Sequence, residues 1–186
     1  MNGILDAAVE VDRRLRESGL QYCMIGGVAL QRWAEPRMTL DVDVTVMTEF
    51  GSELPIVQQL LHFFPPRVAD AEDFALESRV LLLKTESGVG IDISLGAVPF
   101  EARMIERSSI WTLDEDRALR TCSTADLVIQ KAFAGRDQDW LDVQRVIDRQ
   151  TAEALDTELI LRELKPLVEL KDDQQAYDRV RRLLDV

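Results

Sequence analysis

The chain has 186 residues, 22 Lys and Arg against 34 Asp and Glu, a formal net charge of −12 and 46% hydrophobic residues. This predicts one compact unit, or one domain with an appendage, with enough apolar content for a core. The distributed acidity argues against tight non-specific nucleic-acid binding, and the apolar runs are too short to span a bilayer.

Ile4, Leu5, Ala8, Val11 and Leu15 fall at helical spacing over residues 4–17, and Gly19 ends the run. The first residues, Asn2-Gly3-Ile4-Leu5-Asp6, show no basic and apolar leader. Residues 21–25 predict a short apolar strand that leads into Gly26-Gly27, and Val28 to Ala34 predict a short helix. Glu35-Pro36-Arg37 reads as a turn. Over residues 41–47, Asp41, Asp43 and Thr45 alternate with Val42, Val44 and Val46, the pattern of a half-buried strand. Leu54 to Phe64 predict a helix stopped by Pro65-Pro66. Arg79 to Thr85 and Ile91 to Leu95 predict a hairpin about Ser87-Gly88-Val89-Gly90, and residues 110–113 and 117–122 two further short strands.

Ser123-Thr124-Ala125-Asp126 reads as a helix start, with the helix running to Phe133 and Gly135 closing it. Asp137 to Arg149 predict a second helix, with Trp140, Val143 and Ile147 inward. Helices over 156–169 and 172–184 complete the chain, with Pro166 expected to kink or divide the first. The expected fold class is α/β (α+β): a small mixed sheet flanked by helices over residues 1–122, and a helical region over 123–186. Cys23 and Cys122 are expected to be buried free thiols, which suggests a cytoplasmic location.

Three features carry chemistry. Gly26-Gly27 joins a strand to a helix N-terminus, where unpaired N–H groups and the helix dipole favour a phosphate. Asp41 and Asp43 share a strand face with Cα atoms about 6.5 Å apart, a spacing that lets two carboxylates converge on a hard divalent cation. Asp92 repeats the pattern on another strand, between Ile91 and Ile93. Three carboxylates beside a phosphate corner suit metal-assisted displacement at phosphorus.

At these residues the chain resembles the nucleotidyltransferase superfamily that includes DNA polymerase beta. Within it, the chain looks most like the AbiEii/AbiGii-type toxin nucleotidyltransferases. The resemblance covers about residues 20–149. It rests on Gly26-Gly27, on Pro36-Arg37-Met38-Thr39-Leu40-Asp41-Val42-Asp43, and on Lys131 followed by Gly135-Arg136-Asp137-Gln138-Asp139. It implies a nucleotidyltransferase fold and transfer of a nucleoside monophosphate from an NTP to a hydroxyl, with Mg²⁺ or Mn²⁺ on Asp41, Asp43 and Asp92. Asp92 would lie nearest the acceptor hydroxyl as base or metal ligand. Gly26, Gly27, Arg37 and Thr39 would line the nucleotide site, Lys131 would contact the triphosphate, and Asp139 would hold that lysine or the substrate. Gln138-Asp139 stands where the family has Lys-Asp, so Asp137, Asp139 and Asp142 compete for the last role.

The resemblance implies a toxin acting on tRNA with a cognate antitoxin as partner. Against RNA stands the net charge, unless Arg32, Arg37, Arg67, Arg79 and Arg103 gather near the pocket. A small molecule such as an aminoglycoside-like antibiotic, or a protein, is the alternative acceptor. A non-catalytic NTP-binding or antitoxin module is the rival from another class. Lys131 also fits a solvated helix lysine, Trp33 either a base-stacking surface or core, and Trp140 and His62 read as structural.

Overall fold

The computed structural model describes residues 3–150 and 155–186. The chain forms two compact units: Met1–Val28 with Met38–Cys122, and Ala29–Arg37 with Ser123–Val186. Nine helices and a six-stranded sheet are present among the described residues, and no helix there is long and apolar enough to cross a membrane.

The first unit holds the sheet. Helix α1 (Gly3–Glu17) buries Ile4, Ala7, Ala8, Val11 and Leu15 along one stripe, and Gly19, with φ 68°, turns the chain into β1 (Tyr22–Met24). Helix α2 (Gly26–Trp33) begins in this unit and runs into the second. Strand β2 (Asp41–Met47) is followed by α3 (Glu53–Phe63), α4 (Ala71–Ser78), β3 (Val80–Lys84), β4 (Gly90–Gly96), α5 (Pro99–Arg107), β5 (Ser109–Thr112) and β6 (Ala118–Thr121). The sheet order is β3-β4-β2-β1-β6-β5. Strand β2 runs parallel to β4 and antiparallel to β1, β1 runs parallel to β6, and the outer pairs β3–β4 and β5–β6 are antiparallel hairpins.

The valines of β2 account for its position. Val42, Val44 and Val46 are fully buried with Ile91, Ile93, Leu81 and Leu83 of the neighbouring strands, beneath Val11 and Leu15 of α1 and Val57 and Leu60 of α3. Each such side chain contributes about 2 kcal/mol of burial, so the register that sends the valines inward is strongly favoured over one shifted by a residue. The opposite face is closed at its Thr45 end. Thr45 is buried, its methyl packs beside Gly96, and α5 lies against β1 and β2. The Asp41 and Asp43 end of that face stays half-exposed.

Helices α4 and α5 are additions to the sequence reading. Helix α5 carries its own start signal: Pro99 opens it, and the Glu101 carboxylate accepts the N–H groups of Ala97 and Val98 at 2.7 and 3.0 Å.

The second unit holds the end of α2 with α6 (Thr124–Ala134), α7 (Asp137–Arg149), α8 (Thr157–Lys171) and α9 (Gln174–Leu183). The Ser123 hydroxyl accepts the Asp126 N–H at 3.1 Å, and Gly135, with φ 71°, ends α6. The inward face of α7 is Trp140, Val143 and Val146, with Ile147 only partly covered. Helix α8 runs unbroken through Pro166, in contrast to the expected division. Cys23 and Cys122 are buried, and neither is in a disulfide.

Candidate active site

The parallel register of β2 and β4 pairs Asp43 with Asp92 and Asp41 with Gly90. Partners on adjacent strands project to the same side, so all three carboxylates belong to the face left half-open beside Thr45. The side chains of Asp41 and Asp92 are 43% and 36% exposed.

Three glycines make room for these groups. A Cβ on Gly26 would overlap the Asp43 carboxylate, with Cγ only 2.6 Å away, and Gly26 also has φ 53°. A Cβ on Gly27 would overlap Thr39, whose own Cβ would lie 2.7 Å off. A Cβ on Gly90 would collide with the Asp41 carboxylate and come within 3.0 Å of Arg67 Nη1. The Gly27 N–H, at the start of α2, donates to Asp43 Oδ2 at 3.3 Å, and the Ile25 N–H donates to the Asp43 carbonyl at 2.9 Å. The helix start expected to cradle a phosphate therefore also fixes Asp43, and the glycine pair answers to Asp43 and Thr39 directly. The Thr39 hydroxyl donates to the Asp41 carbonyl at 3.4 Å.

Arg67, one of the five arginines whose gathering near the pocket an RNA acceptor would require, meets two of the acids. Its guanidinium forms a close ion pair with Asp92 and lies 3.6 Å from Asp41 Oδ1. Burial pushes the Asp92 carboxyl up; Arg67 opposes this, and the nearby Asp41 charge adds to it, leaving a net rise. Among the described residues, no group of three or more His, Cys, Asp or Glu is gathered as a metal cluster. The donor set nevertheless fits a hard cation. It offers carboxylate oxygens on one face, side-chain-free backbone at Gly26 and Gly90, and a guanidinium already standing as the cation on Asp41 and Asp92.

The second unit contains a buried charge network. The Lys131 ammonium lies 2.8 Å from Asp139 Oδ1 and 3.1 Å from Asp142 Oδ2. Arg37 grips Asp142 with two parallel hydrogen bonds, from Nε at 2.9 Å and Nη2 at 2.8 Å. Gln138 and Arg145 also donate to Asp142, and Arg136 to Asp139. Burial raises the Asp142 carboxyl, but Arg37 and Lys131 outweigh it and hold the group at about 2. Asp139 is likewise lowered, with Arg136 and Lys131 overcoming its burial. Among the three competing aspartates, Asp139 and Asp142 reach Lys131, while Asp137 is exposed at the helix start. The available signal was the three-residue spacing of Asp139 and Asp142, which puts both on one face of α7.

The remaining arginines divide. Arg79 donates to the Leu95 carbonyl and pairs with Glu53, and Arg32 lies over the Trp33 ring, 4.1 Å from its centroid. Trp140 is buried, its indole N–H donates to the Gly135 carbonyl at 3.1 Å, and Arg179 covers its ring.

No protein-family model matches the chain, and no curated protein matches it. Solved structures do. One is an antigenic nucleotidyltransferase-like protein from Paracoccidioides brasiliensis, at 15% identity and TM-score 0.55, with 95% of this chain and 93% of that one covered. The chain has the nucleotidyltransferase fold. The antibiotic-resistance factor ANT(2'')-Ia is similar at 13% identity and TM-score 0.54, covering 92% of this chain and 96% of that one. The lincomycin-bound lincosamide antibiotic adenylyltransferase LnuA is similar at 15% identity and TM-score 0.50, covering 81% and 98%.

Proposed function

We propose that the protein is a divalent-metal-dependent nucleotidyltransferase that moves a nucleoside monophosphate from an NTP to an acceptor hydroxyl. The observation that carries this reading is the register pairing of Asp43 with Asp92, with Asp41 two residues along the same face and Asp43 tied to the N-terminus of α2. Asp41, Asp43 and Asp92 would hold Mg²⁺ or Mn²⁺, and a bound ion supplies positive charge to phosphate oxygens. Asp92 takes the proton of the acceptor hydroxyl. The hydroxyl oxygen then bonds to the α-phosphorus, and the bond to the bridging oxygen breaks, with the electron pair leaving on pyrophosphate. The place of Asp92 on the open face, opposite Asp43 and beside Asp41, supports the role of base. Lys131 is kept as the triphosphate lysine that the resemblance implies, with Asp139 and Asp142 fixing its ammonium.

For the acceptor we favour a cationic small molecule. The net charge of −12 suits such a ligand, and two antibiotic-modifying neighbours are matched over nearly their whole length. The second reading, a tRNA-modifying toxin paired with an antitoxin, rests on the Pro36-Arg37-Met38-Thr39-Leu40-Asp41-Val42-Asp43 motif. Two buried cysteines outside any disulfide support a cytoplasmic setting for either. Incubation with α-labelled NTPs, Mg²⁺ and separate pools of aminoglycosides, lincosamides, total tRNA and proteins tests both. Label on an aminoglycoside or lincosamide is the expected result. Label on tRNA selects the toxin reading, and no labelled acceptor with no pyrophosphate release contradicts the enzyme.

A further inference from the structure

We propose that Arg67 is an exchangeable cation of the acidic face: Asp41 and Asp92 hold its guanidinium while no divalent ion is bound, and an incoming ion displaces it. The proposal rests on the metal-site reading of the proposed function and concerns how that site is loaded.

Three observations support it. First, the backbone that launches Arg67 is anchored. The Arg67 N–H donates to the Leu82 carbonyl at 2.9 Å, the Lys84 N–H donates to the Pro65 carbonyl at 3.0 Å, and Pro66 bridges to Leu83. Residues 65–67 thus run beside β3, and the guanidinium reaches across that strand to Asp92 on β4 and Asp41 on β2. Second, Arg67 uses oxygens that a metal would use. Its Nη2 is on Asp92 Oδ1 and its Nη1 faces Asp41 Oδ1. A carboxylate oxygen committed to a guanidinium is withdrawn from an ion that needs it at about 2.0–2.6 Å. Third, the hold is releasable. The Arg67 side chain is 29% exposed and both acids are more exposed still, so water competes for all the partners. A single positive charge shared by two acids is also weaker than a doubly charged ion on the same oxygens.

The test measures Mn²⁺ binding to the wild-type chain and to Arg67→Gln, and separately the phenylglyoxal labelling of Arg67 in the wild-type chain with and without Mg²⁺, read by peptide mass. Exchange predicts about five-fold tighter Mn²⁺ binding by Arg67→Gln, since a partly exposed ion pair no longer competes. It also predicts faster labelling of Arg67 when Mg²⁺ is present. Equal Mn²⁺ affinity together with unchanged labelling overturns the exchange while leaving the metal site standing. Absence of Mn²⁺ binding in both proteins overturns the exchange and the metal reading together. The labelling uses the unaltered chain, so it decides the question even where Arg67→Gln folds poorly.

Discussion

Gly26 and Asp43 occupy adjoining space so tightly that a methyl group on the first would overlap the carboxylate of the second. A residue usually read as a phosphate-approach glycine is here required by the acid beside it. Gly26→Ala is expected to lose stability by about 1–2 kcal/mol from its left-handed backbone alone, and to displace Asp43 in addition. Urea unfolding together with Mn²⁺ titration checks this, with a folded protein of weakened metal affinity as the expected result.

Gly90→Ala should reproduce the loss of Asp41. The added methyl would stand where the Asp41 carboxylate now lies, while the Gly90 backbone has no positive φ to penalise. The expected outcome is metal binding reduced to the level of Asp41→Asn, read by the same titration.

Asp92→Asn should fold at least as stably as the wild type near neutral pH. A carboxyl whose folded pKa lies above its unfolded value opposes folding when ionised, and this penalty fades as pH falls through the folded pKa toward the unfolded one. Denaturation curves at pH 7 and pH 4 check the sign: the variant's advantage should be larger at pH 7. Activity should be lost at both, because the amide cannot take the acceptor proton.

Asp142 has the opposite sign. Its carboxyl is held at about 2 against an unfolded value near 3.9, so its stabilising contribution is present above about pH 4 and is lost as pH falls toward 2. The side chain is fully buried among Lys131, Arg37 and Arg145, and Asp142→Asn is expected to cost roughly 3 kcal/mol at pH 7. The gap between variant and wild type should close between pH 4 and pH 2 in a pH series of unfolding curves.

Much of this fold was legible because it is local. The alternation of Asp41-Val42-Asp43-Val44 and of Ile91-Asp92-Ile93 defines two strands and their polar faces without reference to anything else, and Ser123 with Gly135 marks both ends of α6. What brings Asp43 opposite Asp92 is not local, because the pairing follows from a parallel crossover through α3, α4 and β3. The acid partners of Arg67 were hidden for the same reason: they depend on residues 65–67 lying beside β3. Helix α4, Ala71–Ser78, is short and buries only Ala71 and Ala75, so it leaves little periodicity to read. Pro166 was expected to kink or divide α8; the helix is not divided, and Ile160, Leu164 and Val168 are buried on both sides of the proline.

The most direct measurement is pyrophosphate release and label transfer from α-labelled NTP, with Mg²⁺ and the acceptor pools, by the wild-type chain beside Asp41→Asn and Asp43→Asn. Both substitutions keep side-chain size and remove a carboxylate charge from the shared face. Metal-dependent transfer by the wild type is expected, with its loss, by at least about a hundred-fold, in both variants while their unfolding curves remain cooperative. Transfer at the wild-type rate by either folded variant would contradict it.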